Sequence, residues 1–114
     1  MEIKNSDYGG FIVSKNINSG LPIRYSFREK SPIPQLNGWN LYSTIDDDNY
    51  ISNADNFIVL NAESIYRISP VILEVFDAHY GTDLCWLYEE GIHLGFYDLK
   101  GDRETSISDI LKNN

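Results

Sequence analysis

Alternating apolar and polar residues along the chain predict a series of short β-strands. The clearest one covers residues 39–46, where the alternation has the period of two that is typical of a half-buried strand. One face carries Trp39, Leu41, Ser43 and Ile45, and the other carries Asn40, Tyr42, Thr44 and Asp46. Further strands are predicted at residues 11–14, 21–29, 57–60, 84–89 and 92–99.

Turn-forming residues between these strands predict how they pair. Residues 16–20 are rich in Asn, Ser and Gly, so the strands at 9–14 and 21–29 are expected to form an antiparallel hairpin. The dipeptide at residues 90–91 predicts a second hairpin between the two last strands.

Capping residues predict three helices. Asn61 is a suitable N-cap, and Ser69 followed by Pro70 combines a cap with a proline at the first helical position. Ser106 and Asp109 have the spacing of a capping box. The predicted spans are 62–68, 70–80 and 107–112, and residues 50–56 are expected to be irregular.

Together these elements predict a single α+β domain over residues 1–114. Its sheet is expected to be mostly antiparallel, with five to six strands and with helices packed on one face. The first eight residues are expected to be loose, and residues 100–114 are expected to form a polar tail with a short helix.

The charge of the chain is uneven. Residues 31–99 hold eleven acidic side chains and one basic one, which gives a net charge of -10, whereas residues 1–30 carry +2. This distribution argues against nucleic-acid binding, which requires a basic surface. Steering toward a basic partner and simple solubility both remain open as reasons for the charge.

Neither a membrane association nor export is predicted. The chain has no apolar run of about 18 residues, and its N-terminus has no apolar signal core. A cytoplasmic protein is therefore expected. Cys85 lies between Leu84 and Trp86, which favours a buried structural thiol.

No catalytic, metal-binding or cofactor-binding motif is present. Cys85, His93 and Asp83 could meet across the second hairpin, but a packed thiol and a surface histidine are favoured. The run of aspartates at 46–48 does not fit a calcium loop, because the sixth residue is not glycine and the twelfth is not glutamate. No catalytic residue, metal or cofactor is expected.

Two arginines remain as a candidate site. Arg24 and Arg28 are predicted to share one face of their strand, where they could hold an anion. Structural ion pairs with carboxylates such as Asp46 or Glu29 are favoured instead.

A candidate recognition surface lies at the end of the strand at 39–46. Asp46, Asp47 and Asp48 follow this strand, and Tyr42 and Tyr50 are close to them in the sequence. Aromatic side chains commonly anchor protein interfaces, so these five residues are the predicted partner-binding group. A solvated turn is the alternative interpretation of the aspartates, and Trp39 is expected in the core.

Several motifs also carry a resemblance. They are Gly9-Gly10-Phe11-Ile12-Val13-Ser14, Pro22-Ile23-Arg24-Tyr25-Ser26-Phe27-Arg28-Glu29, Gly38-Trp39 and Asp46-Asp47-Asp48-Asn49-Tyr50-Ile51. In order and spacing they resemble the bacterial immunity-protein family thirty-three of polymorphic toxin systems. The resemblance continues more weakly to about Gly81 and covers some two-thirds of the chain.

The resemblance implies a non-enzymatic protein that binds and neutralises a cognate bacterial toxin by occluding it. The acidic charge of the chain favours a nuclease with a basic surface as that toxin. Two alternatives stay open. One is a generic interaction or regulatory module, and the other is a small-ligand-binding domain that uses Arg24, Arg28 and a cleft near Trp39. The sequence does not indicate an oligomeric state.

Overall fold

Seven strands form one sheet in the computed structural model, which describes residues 2–112. They are β1 Gly10–Ser14, β2 Ile23–Arg28, β3 Leu36–Ser43, β4 Phe57–Leu60, β5 Asp83–Glu89, β6 Ile92–Asp98 and β7 Arg103–Thr105. Their order across the sheet is β4-β1-β3-β2-β5-β6-β7. β1 and β3 are parallel, and the other neighbouring strands are antiparallel. The predicted α+β class and mostly antiparallel sheet are confirmed, but the predicted number of strands was too low.

The predicted hairpin between β1 and β2 is wrong, because β3 lies between these two strands. The reason lies in helix α1, Lys15–Asn18, which begins directly after β1. The Ser14 hydroxyl caps it by accepting a hydrogen bond from the Asn16 N–H at 3.2 Å, and Ile17 is buried in the core. The chain therefore leaves the sheet through a helical turn and cannot fold straight back onto β1.

The second predicted hairpin is confirmed as β5 and β6. Glu90 and Gly91 both have positive φ angles, 51° and 79°, as a two-residue turn of the mirror-image type requires. β7 pairs with the other edge of β6 and was not predicted. Three polar and charged residues are too few to show an alternating pattern.

Strand β3 ends earlier than the alternation predicts. Trp39, Leu41 and Ser43 are buried, as expected for the core face, but Ile45 is 62% exposed. The Asp46 carboxylate accepts hydrogen bonds from the Ser43 N–H at 2.7 Å and from the Ser43 hydroxyl at 2.6 Å. This turn takes the chain out of the sheet three residues before the predicted end.

Five short helices are present among the described residues: α1, α2 Asp48–Ile51, α3 Ala62–Ile68, α4 Val71–Glu74 and α5 Ile107–Lys112. Helices α3 and α5 match the prediction. The predicted N-caps of both helices are also confirmed. The Asn61 side chain accepts a hydrogen bond from the Ser64 N–H at 2.9 Å, and the Ser106 hydroxyl accepts one from the Asp109 N–H at 3.2 Å. Residues 50–56, predicted to be irregular, contain the end of α2 and a 3-10 turn at Ala54–Asn56.

The predicted helix over 70–80 is wrong, because α4 has only one turn. Its continuation would need the Phe76 carbonyl to accept a bond from within the helix. Instead that carbonyl accepts from the Arg28 guanidinium at 2.8 Å and from the Trp39 indole at 3.0 Å. Side chains of the sheet thus replace the bonds of a second helical turn.

The hydrophobic core lies between one face of the sheet and four of the helices. Each of these helices buries at least one side chain there; the buried members include Ile17 of α1, Ile65 of α3, Ile72 of α4 and Ile110 of α5. Helix α2 differs, because none of its residues is buried and its Tyr50 ring contacts Phe57 on the opposite face, with ring centres 6.1 Å apart. The prediction that helices cover one face therefore holds for four of the five.

The segment before β1, predicted to be loose, contacts this core. The ring centres of Tyr8 and Phe76 lie 4.7 Å apart, and Ile3 packs against the buried cluster. The Asn5 side chain accepts a hydrogen bond from the Glu63 N–H at 2.9 Å.

None of the helices within residues 2–112 is both long and apolar enough to cross a membrane.

Arg28 ties the sheet to the segment after α4. Its guanidinium donates hydrogen bonds to three backbone carbonyls, those of Asn37 at 3.0 Å, Phe76 at 2.8 Å and Ala78 at 2.9 Å. It also lies 4.8 Å from the centre of the Tyr80 ring. The sequence suggested an anion site or an ion pair with a carboxylate for Arg28. In the structure its guanidinium binds backbone carbonyls instead, so its role is structural.

Replacement of Arg28 by methionine is expected to lower the free energy of unfolding by about 3 kcal/mol, because three carbonyls lose a charged donor. Urea denaturation measures this change. Arg24→Met is the matched control, since Arg24 is exposed and should change the stability by less than about 0.5 kcal/mol. Similar losses in the two variants would contradict the role given to Arg28.

Candidate functional site

The sheet face opposite the core is left largely uncovered, and we call it the open face. Its side chains alternate along the strands with those of the core. The residues that define it are Ile12, Tyr25, Phe27, Asn40, Tyr42, Phe57 and Val59. Val59 is 61% exposed and the others are partly exposed. A set of partly exposed aromatic rings on one surface is typical of a protein interface.

The rings of the open face are in contact with one another. The ring centres of Phe27 and Tyr42 lie 5.2 Å apart, and those of Tyr42 and Phe57 lie 5.4 Å apart. Tyr50 of α2 extends this row at its β4 end through its contact with Phe57. Such edge and tilted contacts hold the rings in fixed positions, so the surface is formed before any partner arrives.

A shallow depression lies beside this row of rings. Its volume is about 420 Å³, and its walls come from β1, β3, β4, the end of α2 and the segment that follows α2. The lining residues are Ile12, Asn40, Tyr42, Ile51, Ser52, Ala54, Phe57, Ile58 and Val59. Most of these are apolar, so the depression suits an apolar side chain of a partner.

Asp46 is bonded within its own chain. In addition to the two bonds from Ser43, its carboxylate accepts one from the Asn16 side chain at 2.8 Å. Burial alone would raise the pKa of Asp46, but the hydrogen bonds from Ser43 and Asn16 outweigh it and hold the pKa below its usual value. The main role of this carboxylate is therefore structural, because its hydrogen bonds with Ser43 end β3.

Asp47 and Asp48 face outward. Asp47 caps α2 by accepting a hydrogen bond from the Tyr50 N–H at 2.8 Å, and Asp48 lies in the first turn of the same helix. Both are exposed. The Tyr50 hydroxyl donates to the Asn56 carbonyl at 3.2 Å, which fixes α2 beside the start of β4. The predicted acidic group is thus divided into one structural carboxylate and two surface carboxylates.

Tyr42 connects the aromatic row with the acidic residues. Burial, followed by the nearby carboxylates of Glu29 and Asp46, raises the pKa of the Tyr42 hydroxyl. The hydroxyl is therefore neutral at physiological pH and lies in a negative potential. A cationic side chain brought to this position would meet two carboxylates and the faces of aromatic rings, both of which attract cations.

The prediction that Arg24 and Arg28 share one face of their strand is wrong. A register shift between Ile23 and Tyr25 in the β2–β3 ladder places Arg24 with the open face, 5.8 Å from the centre of the Tyr25 ring. Arg28 points into the core side instead. Trp39 is fully buried, so it cannot line an open cleft. The predicted ligand site of these three residues is not formed.

The remaining candidates for chemistry are also separated. His93 stacks on Trp86 on the core side, with ring centres 4.5 Å apart, whereas the neighbouring Cys85 points to the other face. Cys85 is buried, as predicted. Within residues 2–112 no three His, Cys, Asp or Glu side chains are arranged to hold a metal ion.

Sequence patterns identified only part of this surface. Tyr42, Tyr50 and the aspartates stand close together in the chain, but Phe27, Phe57 and Val59 come from other strands. Their alternation marks them as strand residues without showing that they share a face with Tyr42. The strand order, with β3 between β1 and β2 and with β4 at the edge, brings them together.

Comparison with known proteins gives one match. The family described as "Immunity protein Imm33 domain" matches residues 11–94 of the chain. This match confirms the resemblance found in the sequence motifs and extends it beyond Gly81, through β5 and into β6. Searches of the curated proteins and of the solved structures found no match.

Replacement of Asp46 by asparagine is expected to lower the free energy of unfolding at pH 7 by about 1–2 kcal/mol, because a neutral amide accepts the three hydrogen bonds less well. The pKa of Asp46 is lowered in the folded state, so its contribution is present above the ordinary carboxyl pKa and is lost as the pH falls through the folded value.

The stability gap between Asp46→Asn and the unaltered chain should therefore narrow below about pH 4. Thermal unfolding between pH 2.5 and pH 7 measures it. Asp47→Asn is the control, since asparagine also caps helices and should leave the stability nearly unchanged. A gap that is constant over this pH range would contradict the role of the Asp46 carboxylate.

Proposed function

The chain belongs to the Imm33 immunity protein family, and we propose that it neutralises a cognate bacterial toxin by binding it and covering the surface that the toxin needs for its activity. The family membership supports a toxin-neutralising role. The observation that supports this mechanism is the open face, which has a row of partly exposed rings and a depression of about 420 Å³. The exposed carboxylates of Asp47 and Asp48 lie next to it, and we call them the acidic border. In this proposal the protein acts by occlusion and without catalysis.

The open face suits a protein partner better than a small molecule. Its depression is shallow, and the aromatic row beside it is continuous across β2, β3 and β4. Large aromatic side chains supply most of the binding energy at protein interfaces when a partner removes them from water. A small ligand would cover only part of this row. The open face is therefore the proposed toxin-binding surface.

Charge supports a basic toxin. Residues 31–99 carry a net charge of -10, and Asp47 and Asp48 are exposed next to the open face. Complementary charge raises the rate of association and selects against wrong partners. A nuclease needs a basic surface for its own substrate, so a nuclease toxin is the partner that fits best. The same negative charge makes nucleic acid an unsuitable ligand for this protein.

The protein is proposed to act in the cytoplasm, where a nuclease toxin would meet its substrate. A generic interaction module could use the same open face, and the identity of the bound protein separates the two possibilities. The small-ligand alternative has lost its basis, because Arg28 is bonded to backbone carbonyls and Trp39 is buried.

The test is a pull-down of the tagged protein from its native cells at low and at high salt, followed by mass spectrometry and a toxicity assay. Recovery of a protein that carries a basic toxin domain, together with protection of cells in which that domain and this chain are co-expressed, would support the proposal. Recovery of partners that are not toxic would favour a generic interaction module instead.

The double variant Asp47→Asn and Asp48→Asn is expected to weaken toxin binding by about three- to tenfold at low salt and to reduce its salt dependence, because border charges act mainly through steering. The matched control is Glu89→Gln and Glu90→Gln, which removes the same charge from the exposed turn between β5 and β6. Binding kinetics at two ionic strengths measure both. Equal effects of the two double variants would show that only the net charge matters.

Replacement of Tyr42 by alanine is expected to weaken toxin binding by at least about tenfold, because a central aromatic anchor of the open face is lost. Tyr66→Ala is the control, since Tyr66 is an exposed tyrosine on α3. Isothermal titration with folded variants measures both affinities. An unchanged affinity of Tyr42→Ala would exclude the open face as the centre of the interface.

A further inference from the structure

We propose that the outer edge of β4 pairs with an extended segment of the toxin, which adds an eighth strand to the sheet. The segment would be apolar in its middle and would carry lysine or arginine at its ends. This inference rests on the proposed function, because it names how part of the toxin is held. It adds a backbone interaction to the side-chain contacts of the open face.

The two edges of the sheet differ in a way that singles out β4. β7 has three residues, of which Arg103 and Glu104 are charged and exposed, and such short charged edges resist pairing with other chains. β4 consists of Phe57-Ile58-Val59-Leu60, with no charge and no proline. Its pairing with β1 is regular, whereas β1–β3, β2–β3 and β5–β6 each contain a register shift. β4 therefore presents a straight apolar edge.

The outer backbone groups of β4 are open to pairing. β1 is the only neighbour of β4 in the sheet of residues 2–112. In an antiparallel ladder, alternate residues direct their N–H and C=O groups away from the paired strand. One group at the start of β4 is already bonded, because the Phe57 N–H donates to the Ala54 carbonyl of the preceding 3-10 turn. Beyond this bond, no loop or helix in the described part of the chain forms a backbone hydrogen bond with β4. Unpaired edges of this kind are templates for an added strand.

The side chains of β4 join this edge to the open face. Val59 lies over Gly10 of β1. A residue with a side chain in place of Gly10 would bring its Cβ atom within 2.7 Å of the Val59 side chain. Phe57 and Val59 also line the depression of the open face. Alternate side chains of an added strand would point to this same face. The edge and the depression thus form one continuous surface.

The charges around β4 identify the partner segment as basic. Asp55 lies in the 3-10 turn directly before β4, and α2 with Asp47 and Asp48 is held beside this turn by the hydrogen bond from the Asn56 side chain to the Tyr50 carbonyl, 2.8 Å long. A second copy of this chain would pair antiparallel about a two-fold axis, so its Asp55 end would lie at the Leu60 end of the first β4, which is followed three residues later by the exposed Glu63 of α3. Like charges at the ends of the pairing disfavour such a dimer, whereas lysine or arginine would be attracted.

The probe for the test is the toxin domain recovered by the tagged protein. Amide hydrogen exchange, resolved by residue with NMR, is compared for the free chain and for its complex with this domain. Strand addition should slow exchange by at least about tenfold at outward β4 amides that have no hydrogen bond in the free chain, because these amides gain one. The Phe57 amide is not among them, since it is already bonded to the Ala54 carbonyl. Amides of β7 should not change.

Two matched variants test whether β4 lies in the toxin interface, and the exchange experiment shows whether its backbone forms the added hydrogen bonds. Val59→Lys places a charge on the β4 edge, and Ile92→Lys makes the same change at the end of the β5–β6 hairpin. Val59 and Ile92 are similarly exposed, at 61% and 64%, so neither variant should lower the unfolding temperature noticeably. Val59→Lys should weaken toxin binding by about tenfold or more, and Ile92→Lys by less than about twofold.

The outcomes separate this inference from the proposed function. Protection of cells from the toxin, with unchanged exchange at β4 and equal affinities of the two lysine variants, would overturn strand addition and leave the immunity role intact. Self-association that Val59→Lys abolishes, without an effect on toxin binding, would assign the edge to a dimer instead. If the unaltered chain binds no toxin, the proposed function itself fails, and this inference fails with it.

Discussion

The hydrogen bonds of Arg28 are the interaction on which the rest of the structure depends. Its side chain holds the carbonyls of Phe76 and Ala78 against the sheet, and its own backbone pairs with Gly81 at 2.7 Å and with Thr82 at 2.9 Å. One residue of β2 therefore fixes both the segment after α4 and the start of β5. The pairing of β2 with β3 also restricts the residue at position 38 to glycine, because a side chain there would place a Cβ atom 2.2 Å from the Glu29 carbonyl oxygen.

This arrangement explains why the two faces of the sheet differ so strongly. Arg28 and Trp39 hold the chain after α4 on the core face. Helices α1, α3 and α5 pack on the same face through their own buried side chains. The opposite face keeps its aromatic rings partly exposed, since only α2 and the following turn reach its margin. Asp46 maintains this margin by ending β3 at Ser43, so that α2 begins where its carboxylates and Tyr50 can border the open face. The structural role of Asp46 and the proposed recognition role of its neighbours thus meet in one turn.

Features that depend on neighbouring residues could be predicted from the sequence, and features that depend on distant contacts could not. The alternation around Trp39, the caps Asn61 and Ser106 and the turn at Glu90 are local, and each is present in the structure. The insertion of β3 between β1 and β2 is a long-range choice that no local pattern encodes. The helix predicted after Pro70 has suitable spacing, but tertiary hydrogen bonds to the Phe76 carbonyl override it.

The candidate surface combines two kinds of recognition that act over different distances. Exposed carboxylates act beyond contact distance, up to about 10 Å at 0.1 M salt, and they orient a basic partner as it approaches. Aromatic rings and the β4 edge act only in contact, through burial of apolar surface and through backbone hydrogen bonds. Backbone pairing is tolerant of side-chain identity, so in the proposed complex specificity for one toxin would come from the row around Tyr42 and from Asp47 and Asp48 beside it. The edge would supply affinity to a strand of suitable shape, and the open face would decide which strand is accepted.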